Sequence, residues 1–350
     1  MKRYKALILD ILLITVLCIL VWAGYSCKKE VSRWFTPISL RYTVPISGEK
    51  AYAARLYSVK NSDDGVFWPS FWQEGEATLS SEWSSVKTDC VFYSGDASLA
   101  WPGQYLYGCA PGSADSAGCA LSEALAFKLF AQADVVGKAL EIDSETYIVR
   151  GVFNGDMFLA LLSYGIEDKS ASFETIELSG GTGTALRDSA EAYAAASGLG
   201  NPDNLMMGEA LESIAGILAA LPIVITAVFA FFQLFKLLHK QSMLIYNTAV
   251  FLVFLFFALL LPRFVEALPA WFVPNRLSDL SHWTSLPASV SNNFRTFLAA
   301  ARSKRDIEGL TIIIKQIVLS FTACLITIFV CMNRSTRTSE NLDRVKKLRF

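Results

Sequence analysis

Apolar residues along this chain gather into four long stretches, at residues 6–25, 211–238, 243–262 and 311–332. A helix needs roughly 20 apolar residues to cross a hydrocarbon layer about 30 Å thick. In lipid the backbone must satisfy its own hydrogen bonds, so each stretch is predicted to span as a helix. The long polar interval between the first two, residues 26–210, is predicted to stand in water. A hydrophobic share of 53% and a mean hydropathy of +0.38 fit that division and exclude a soluble enzyme.

Within the polar interval the pattern shortens. Runs rich in aromatic and β-branched residues predict strands at Leu40–Ile46, Ala51–Val59, Ala139–Ile142, Thr146–Phe153 and Phe173–Leu178. Helical spacing predicts helices at Ser122–Phe130 and Ala185–Ala196, the first capped by Ser122 with Glu123 at its positive end. The expected fold class is an integral membrane α-helical protein of four spans, with an extracytoplasmic α+β domain inserted between the first and second. Residues 263–310 form a second outer loop in this scheme.

Charge supplies the orientation. Lys2, Arg3 and Lys5 lie in the short N-terminal segment 1–5. Lys236 and Lys240 flank the turn between the second and third stretches, and a basic tail fills residues 333–350. The positive-inside rule puts all three clusters in the cytoplasm, with both termini there. A multi-pass plasma-membrane protein is expected. Arg263, Arg276, Arg295, Arg302, Lys304 and Arg305 work against the rule in the outer loop. Residues 28–210 hold 13 Lys and Arg against 24 Asp and Glu, a net of −11, while the remainder of the chain holds 18 against 8. The basic part suits anionic lipid. The acidic part keeps a domain soluble or meets a cationic ligand. No basic, aromatic-studded surface suggests nucleic acid.

Cys18, Cys324 and Cys331 fall in apolar stretches, whereas Cys27, Cys90, Cys109 and Cys119 are expected to face outward, where pairing is chemically allowed. Four cysteines permit three pairings, and the turn at Pro111-Gly112-Ser113 makes a Cys109–Cys119 loop the simplest. With only two histidines in the chain, neither near these cysteines, no metal site is expected. No nucleophile–base pair or carboxylate pair stands out, so no catalytic residue and no cofactor are assigned.

One segment is more specific. It runs from Cys119 to Phe153 and reads as strand end, capped helix, glycine turn and hairpin, with the hairpin turning at Asp143-Ser144-Glu145. Phe127 and Phe130 are expected to pack on Ile148, Val149 and Val152. Leu121-Ser122-Glu123, Ala126, Leu129-Phe130, Val136-Gly137-Lys138 and Tyr147 through Phe153, with Gly151 inside, resemble the extracytoplasmic core of MacB/FtsX-type ABC transporter permeases. The order of one span, a large outer domain and three further spans resembles that family along the whole chain. The resemblance implies a non-ATPase permease subunit that transmits motion from a cytoplasmic ABC ATPase to the outer domain. It implies a second permease copy or homologous permease as partner, and ATP bound by the ATPase. The chain itself carries no GxxxxGK[ST] motif. Gly180-Gly181-Thr182-Gly183-Thr184 lacks the lysine and reads as a turn.

The departure from that pattern lies at Phe235–Ser242, where a very short turn nearly joins two spans. Lys236, His239 and Lys240 are the residues there available for ATPase coupling. The short turn also leaves open a membrane-anchored adaptor or sensor that binds an outer partner without transport. Lys315 and Gln316 are expected to reach outer headgroups from the fourth span.

Overall fold

The structure, a computed structural model, describes residues 2–35, 38–62, 66–165, 168–180, 186–238 and 303–347, with scattered positions between 251 and 295. Of the expected third span at 243–262 only Phe251, Leu255 and Ala258 are among the described residues. Among the described residues three helices are long and apolar enough to cross a membrane, at Ile11–Trp34, Gly208–Phe232 and Lys304–Met332. They belong to helices α1 (Lys2–Trp34), α6 (Gly208–Leu238) and α7 (Lys304–Lys347). The last begins well before residue 311, because Ser303 caps it: its Oγ accepts from Asp306 N–H at 3.0 Å.

The chain divides into two compact units. The first comprises Met1–Ser32, Ala210–Trp283 and Gly309–Phe350. Its helices meet through small and polar groups, as expected where lipid offers no hydrophobic drive. Cys27 Sγ donates to Ile312 O at 3.4 Å, and Gln316 Nε2 donates to Ala215 O at 3.4 Å and Ser320 Oγ at 3.4 Å. Gln316 is wholly buried and does not reach headgroups; Lys315 alone of that pair is exposed. Its amide is more cheaply satisfied by a neighbouring helix than left in hydrocarbon.

The second unit comprises Arg33–Glu209 and Thr284–Glu308. Its elements are β1 (Ile38–Ser47), α2 (Gly48–Lys60), β2 (Trp68–Ser80), β3 (Ser85–Ser94), α3 (Ala97–Ala100), β4 (Tyr105–Gly108), β5 (Gly118–Ser122), α4 (Glu123–Phe130), β6 (Ala139–Ile142), β7 (Glu145–Phe153), β8 (Leu159–Ser163), β9 (Ser172–Ser179), α5 (Leu186–Ala196) and β10 (Asn204–Met207). The strands form one mixed sheet in the order β10-β1-β9-β2-β3-β8-β5-β7-β4, with β6 pairing β2 and β7. The β3–β8 and β5–β7 pairs are parallel and the rest antiparallel.

Residues 51–59 form part of a helix rather than the expected strand. Two tyrosines and a valine in this run suggest a strand, but the buried positions Ala51, Ala54 and Ser58 recur at helical spacing. Strands β5 and β8 are buried along their whole length, so they carry no alternation to read.

The two faces of the sheet differ. One face carries two apolar clusters. Ile38, Leu40, Phe71, Phe173 and Ile176 pack with α2 and α5; Leu79, Cys119, Leu121, Val149 and Leu162 pack with Leu125, Ala126 and Leu129 of α4. Each fully buried Leu contributes about 1.5–3 kcal/mol by leaving water. The other face carries Trp72, Tyr93, Trp101, Phe153 and Leu161. Beside them on that face, β1, β9 and β2 present Ser39, Arg41, Thr175, Glu177, Trp72 and Glu74.

Candidate functional site

That second face receives the segment Ser303–Glu308. Register explains the grouping. Ser39 pairs with Glu177 and Arg41 with Thr175 across β1 and β9, while Trp72 pairs with Thr175 across β2 and β9. Three adjacent strands therefore place a carboxylate, a guanidinium, two hydroxyls and an indole in two neighbouring rows.

Onto this patch α7 adds two opposite charges. Arg305 Nη1 is ion-paired with Glu177 Oε1, and its Nη2 donates to Trp34 O at 3.1 Å. Asp306 Oδ1 accepts from Arg41 Nη2 at 2.8 Å. Arg41 Nη1 donates to Thr175 Oγ1 at 3.1 Å and its Nη2 lies 3.8 Å from Glu177 Oε1. Ser39 Oγ and Trp72 Nε1 donate to the same Glu177 oxygen at 3.0 and 3.2 Å. The guanidinium carbons of Arg41 and Arg305 lie 5.1 and 5.3 Å from the Trp72 ring centroid, within cation–π range. Arg41, Glu177, Arg305 and Asp306 are all buried. Buried charges persist only when paired and hydrogen-bonded, and these four form two opposite pairs.

Glu74 completes the arrangement. Its Oε2 accepts from Lys304 N–H at 2.9 Å and its Oε1 from Arg305 N–H at 3.1 Å. A carboxylate from β2 thus satisfies two free donors at the positive end of α7. Burial pushes the Glu74 carboxyl above its ordinary value, and the two backbone N–H bonds pull back against that. Lys304 Nζ pairs with Asp89 of β3. Lys304 and Arg305 are thus each committed to a carboxylate, which answers part of the excess positive charge noted in residues 263–310. Three buried polar atoms in the cluster have no partner: Arg41 Nε, Arg305 Nε and Asp306 Oδ2.

Of this clamp the sequence draws attention only to Lys304 and Arg305, as charges against the positive-inside rule and not as a site. One signal was present. Ser303-Lys304-Arg305-Asp306 matches the start of a capped helix, a serine followed at the third position by an acid ahead of an apolar run. The residues of the Cys119–Phe153 segment build a separate support. Ser122 Oγ accepts from Leu125 N–H at 3.3 Å and from Leu159 N–H at 3.2 Å, tying α4 to β8. Leu121 is in the core, and Glu123 stands in the first turn of α4. Gly137 adopts φ +84°, and its N–H donates to Val149 O at 2.7 Å. Lys138 Nζ lies 5.2 Å from the Phe130 ring. A side chain at Gly151 would put its Cβ 2.4 Å from Cys109 O. The hairpin turns at Asp143 and Ser144, both with positive φ, while Phe130 and Tyr147 are partly buried against the core. Phe127, expected to pack there, is exposed; Leu125, Ala126 and Leu129 are the residues α4 buries. These residues shape a fold and gather no reactive groups.

All four cysteines considered for pairing are free thiols. Cys90 and Cys119 are buried in the core, where desolvation pushes both thiols up to about 12. Cys109 is exposed, and Cys27 lies in α1. His239 and Lys240 lie outside the described residues, as does the Lys236 side chain, although α6 runs through that position. Among the described residues no group of acidic, histidine or cysteine side chains is arranged to hold a metal.

No family model and no curated protein matches the sequence. Solved structures are matched only at low TM-scores. The extracellular domain of the noncanonic ABC-type transporter YknZ from Gram-positive bacteria is 11% identical, at a TM-score of 0.39, covering 49% of this chain and 97% of that one. The periplasmic region of MacB from Actinobacillus actinomycetemcomitans is 12% identical, at a TM-score of 0.42, covering 51% and 93%. A domain of a putative permease protein from Porphyromonas gingivalis is 15% identical, at 0.32, covering 45% and 82%.

Proposed function

We propose that this chain is a non-ATPase permease subunit of an ABC transporter, passing motion from a cytoplasmic ATPase to its outer α+β domain. The observation that carries the reading is the clamp on α7. Two opposite ion pairs, a backbone cap and a cation–π contact hold Lys304, Arg305 and Asp306 to three strands of the sheet. Displacing the start of α7 without the sheet means separating buried charges, which costs several kcal/mol. Such a joint converts movement of a helix into movement of a domain. The Cys119–Phe153 resemblance and the order of apolar stretches supply the class of machine.

In this reading the protein is a multi-pass plasma-membrane subunit with residues 26–210 outside and both termini inside. Its partners are a cytoplasmic ABC ATPase, which binds the ATP, and a second permease copy or homologous permease. Lys236, His239 and Lys240 are the coupling residues at the cytoplasmic turn. The test is purification of the tagged chain in mild detergent from its native host, with identification of what remains bound. A stoichiometric ABC ATPase is the expected companion. Clean isolation without one, repeated after crosslinking in cells, supports instead an adaptor that binds an outer partner.

A further inference from the structure

Next to the clamp, on the same sheet face, lies an open cavity of about 550 Å³, within the range of small-molecule sites. Its walls come from β2, β3, the approach to β8 and the first turns of α7. Two lysines reach it, and both are occupied: Lys87 Nζ lies 2.5 Å from Glu76 Oε2, and Lys304 is paired with Asp89. Glu308 is the third carboxylate of the lining, and among the described residues no cation pairs with it. The apolar part of the lining is Met157, Phe158 and Ile307, which are 37%, 43% and 53% exposed. Thr88 Oγ1 donates to Phe158 O at 2.7 Å and fixes the backbone beneath the ring. The N–H groups of Lys304, Arg305 and Asp306 are already taken by Glu74 and Ser303, so the helix end offers them to no anion.

An apolar platform beside one uncompensated carboxylate, next to the 28–210 segment of net charge −11, selects a ligand that is both apolar and cationic. We propose that this cavity binds a small organic cation, its charge against Glu308 and its apolar body on Met157, Phe158 and Ile307. Such a ligand touches the sheet and the first turn of α7 together. The inference concerns the outer domain alone and does not depend on an ATPase.

The full chain, purified in mild detergent, is titrated with rhodamine 6G and read by fluorescence polarisation, with fluorescein as an anionic dye of similar size. The expected result is saturable binding of rhodamine 6G and none of fluorescein. Glu308→Gln should weaken it about tenfold, the usual loss when a charge-assisted contact is removed. Phe158→Ala should weaken it as well, and Asp188→Asn, an acid on α5, should leave it unchanged. Melting curves of each variant confirm that it is folded. Equal binding by the native chain and Glu308→Gln would overturn the proposal. So would equal uptake of both dyes, or no saturable binding below about 100 µM.

Discussion

The clamp makes a quantitative prediction for the pair Glu177 and Arg305. Replacing Glu177 by Leu removes the oxygen that serves Arg305, Arg41, Ser39 and Trp72 together and leaves Arg305 buried without its carboxylate. Removing one partner of a buried pair costs about 3–5 kcal/mol. For a domain the size of the second unit, about 2–4 °C of melting temperature is lost per kcal/mol. Glu177→Leu should therefore lower the melting temperature by about 6–20 °C. Arg305→Met should cost less, because Glu177 keeps Arg41 3.8 Å away. The double variant leaves Arg41 and Asp306 as a neutral pair 2.8 Å apart. Its loss should fall short of the sum of the singles by about 1–3 kcal/mol. Thermal unfolding of the full chain in detergent, followed by tryptophan fluorescence, measures all four corners of this cycle. Single variants that each move the transition by less than about 2 °C, or strictly additive losses, would refute the idea that these charges form one buried unit.

Other expectations follow from the same geometry. Glu74→Gln should change how stability depends on pH. The folded-state pKa of Glu74 lies above its ordinary 4.5, so its contribution is full below that value and is lost as pH rises through the raised one. The native chain should thus gain on Glu74→Gln as pH falls from 8 toward 5, and melting curves across that range showing the opposite trend would count against it. Gly151→Ala should destabilise by about 2 kcal/mol or more, since its Cβ would meet the Cys109 carbonyl carbon 2.9 Å away and its oxygen closer still. Ser122→Ala should cost about 1–2 kcal/mol, because Leu125 and Leu159 both lose their acceptor; denaturant titration measures either change. N-ethylmaleimide at pH 8 should label Cys109 in the folded protein and reach Cys90 and Cys119 only after denaturation, as mass spectrometry of the peptides will show.

The parts of the fold legible in sequence are those where pattern and environment agree. The hairpin β6–β7 and helices α4 and α5 fall within a residue or so of expectation, because one face of each is buried and one is wet. Strand β2 was hidden by its own chemistry. Trp72-Gln73-Glu74-Gly75-Glu76 has the alternation of a strand, but the charges sit on the face that meets Ser303–Glu308, and nothing local announces a partner more than two hundred residues away. Glu177 and Arg41 were obscured for the same reason, since each looks like an ordinary exposed charge until register sets them against Arg305 and Asp306. The start of α7 was placed too late because its first residues are charged, although Ser303 and Asp306 carry the cap.

The central claim is that movement of α7 reaches the sheet through this clamp. Hydrogen exchange measured on the complex with the proposed ATPase partner, with and without ATP, tests it most directly. In the native chain, exchange in β1, β9 and β2 should change with ATP. In the Glu177→Leu, Arg305→Met double variant, ATP hydrolysis should continue while that change disappears. An ATP-dependent change that persists at full size in the double variant would contradict the account.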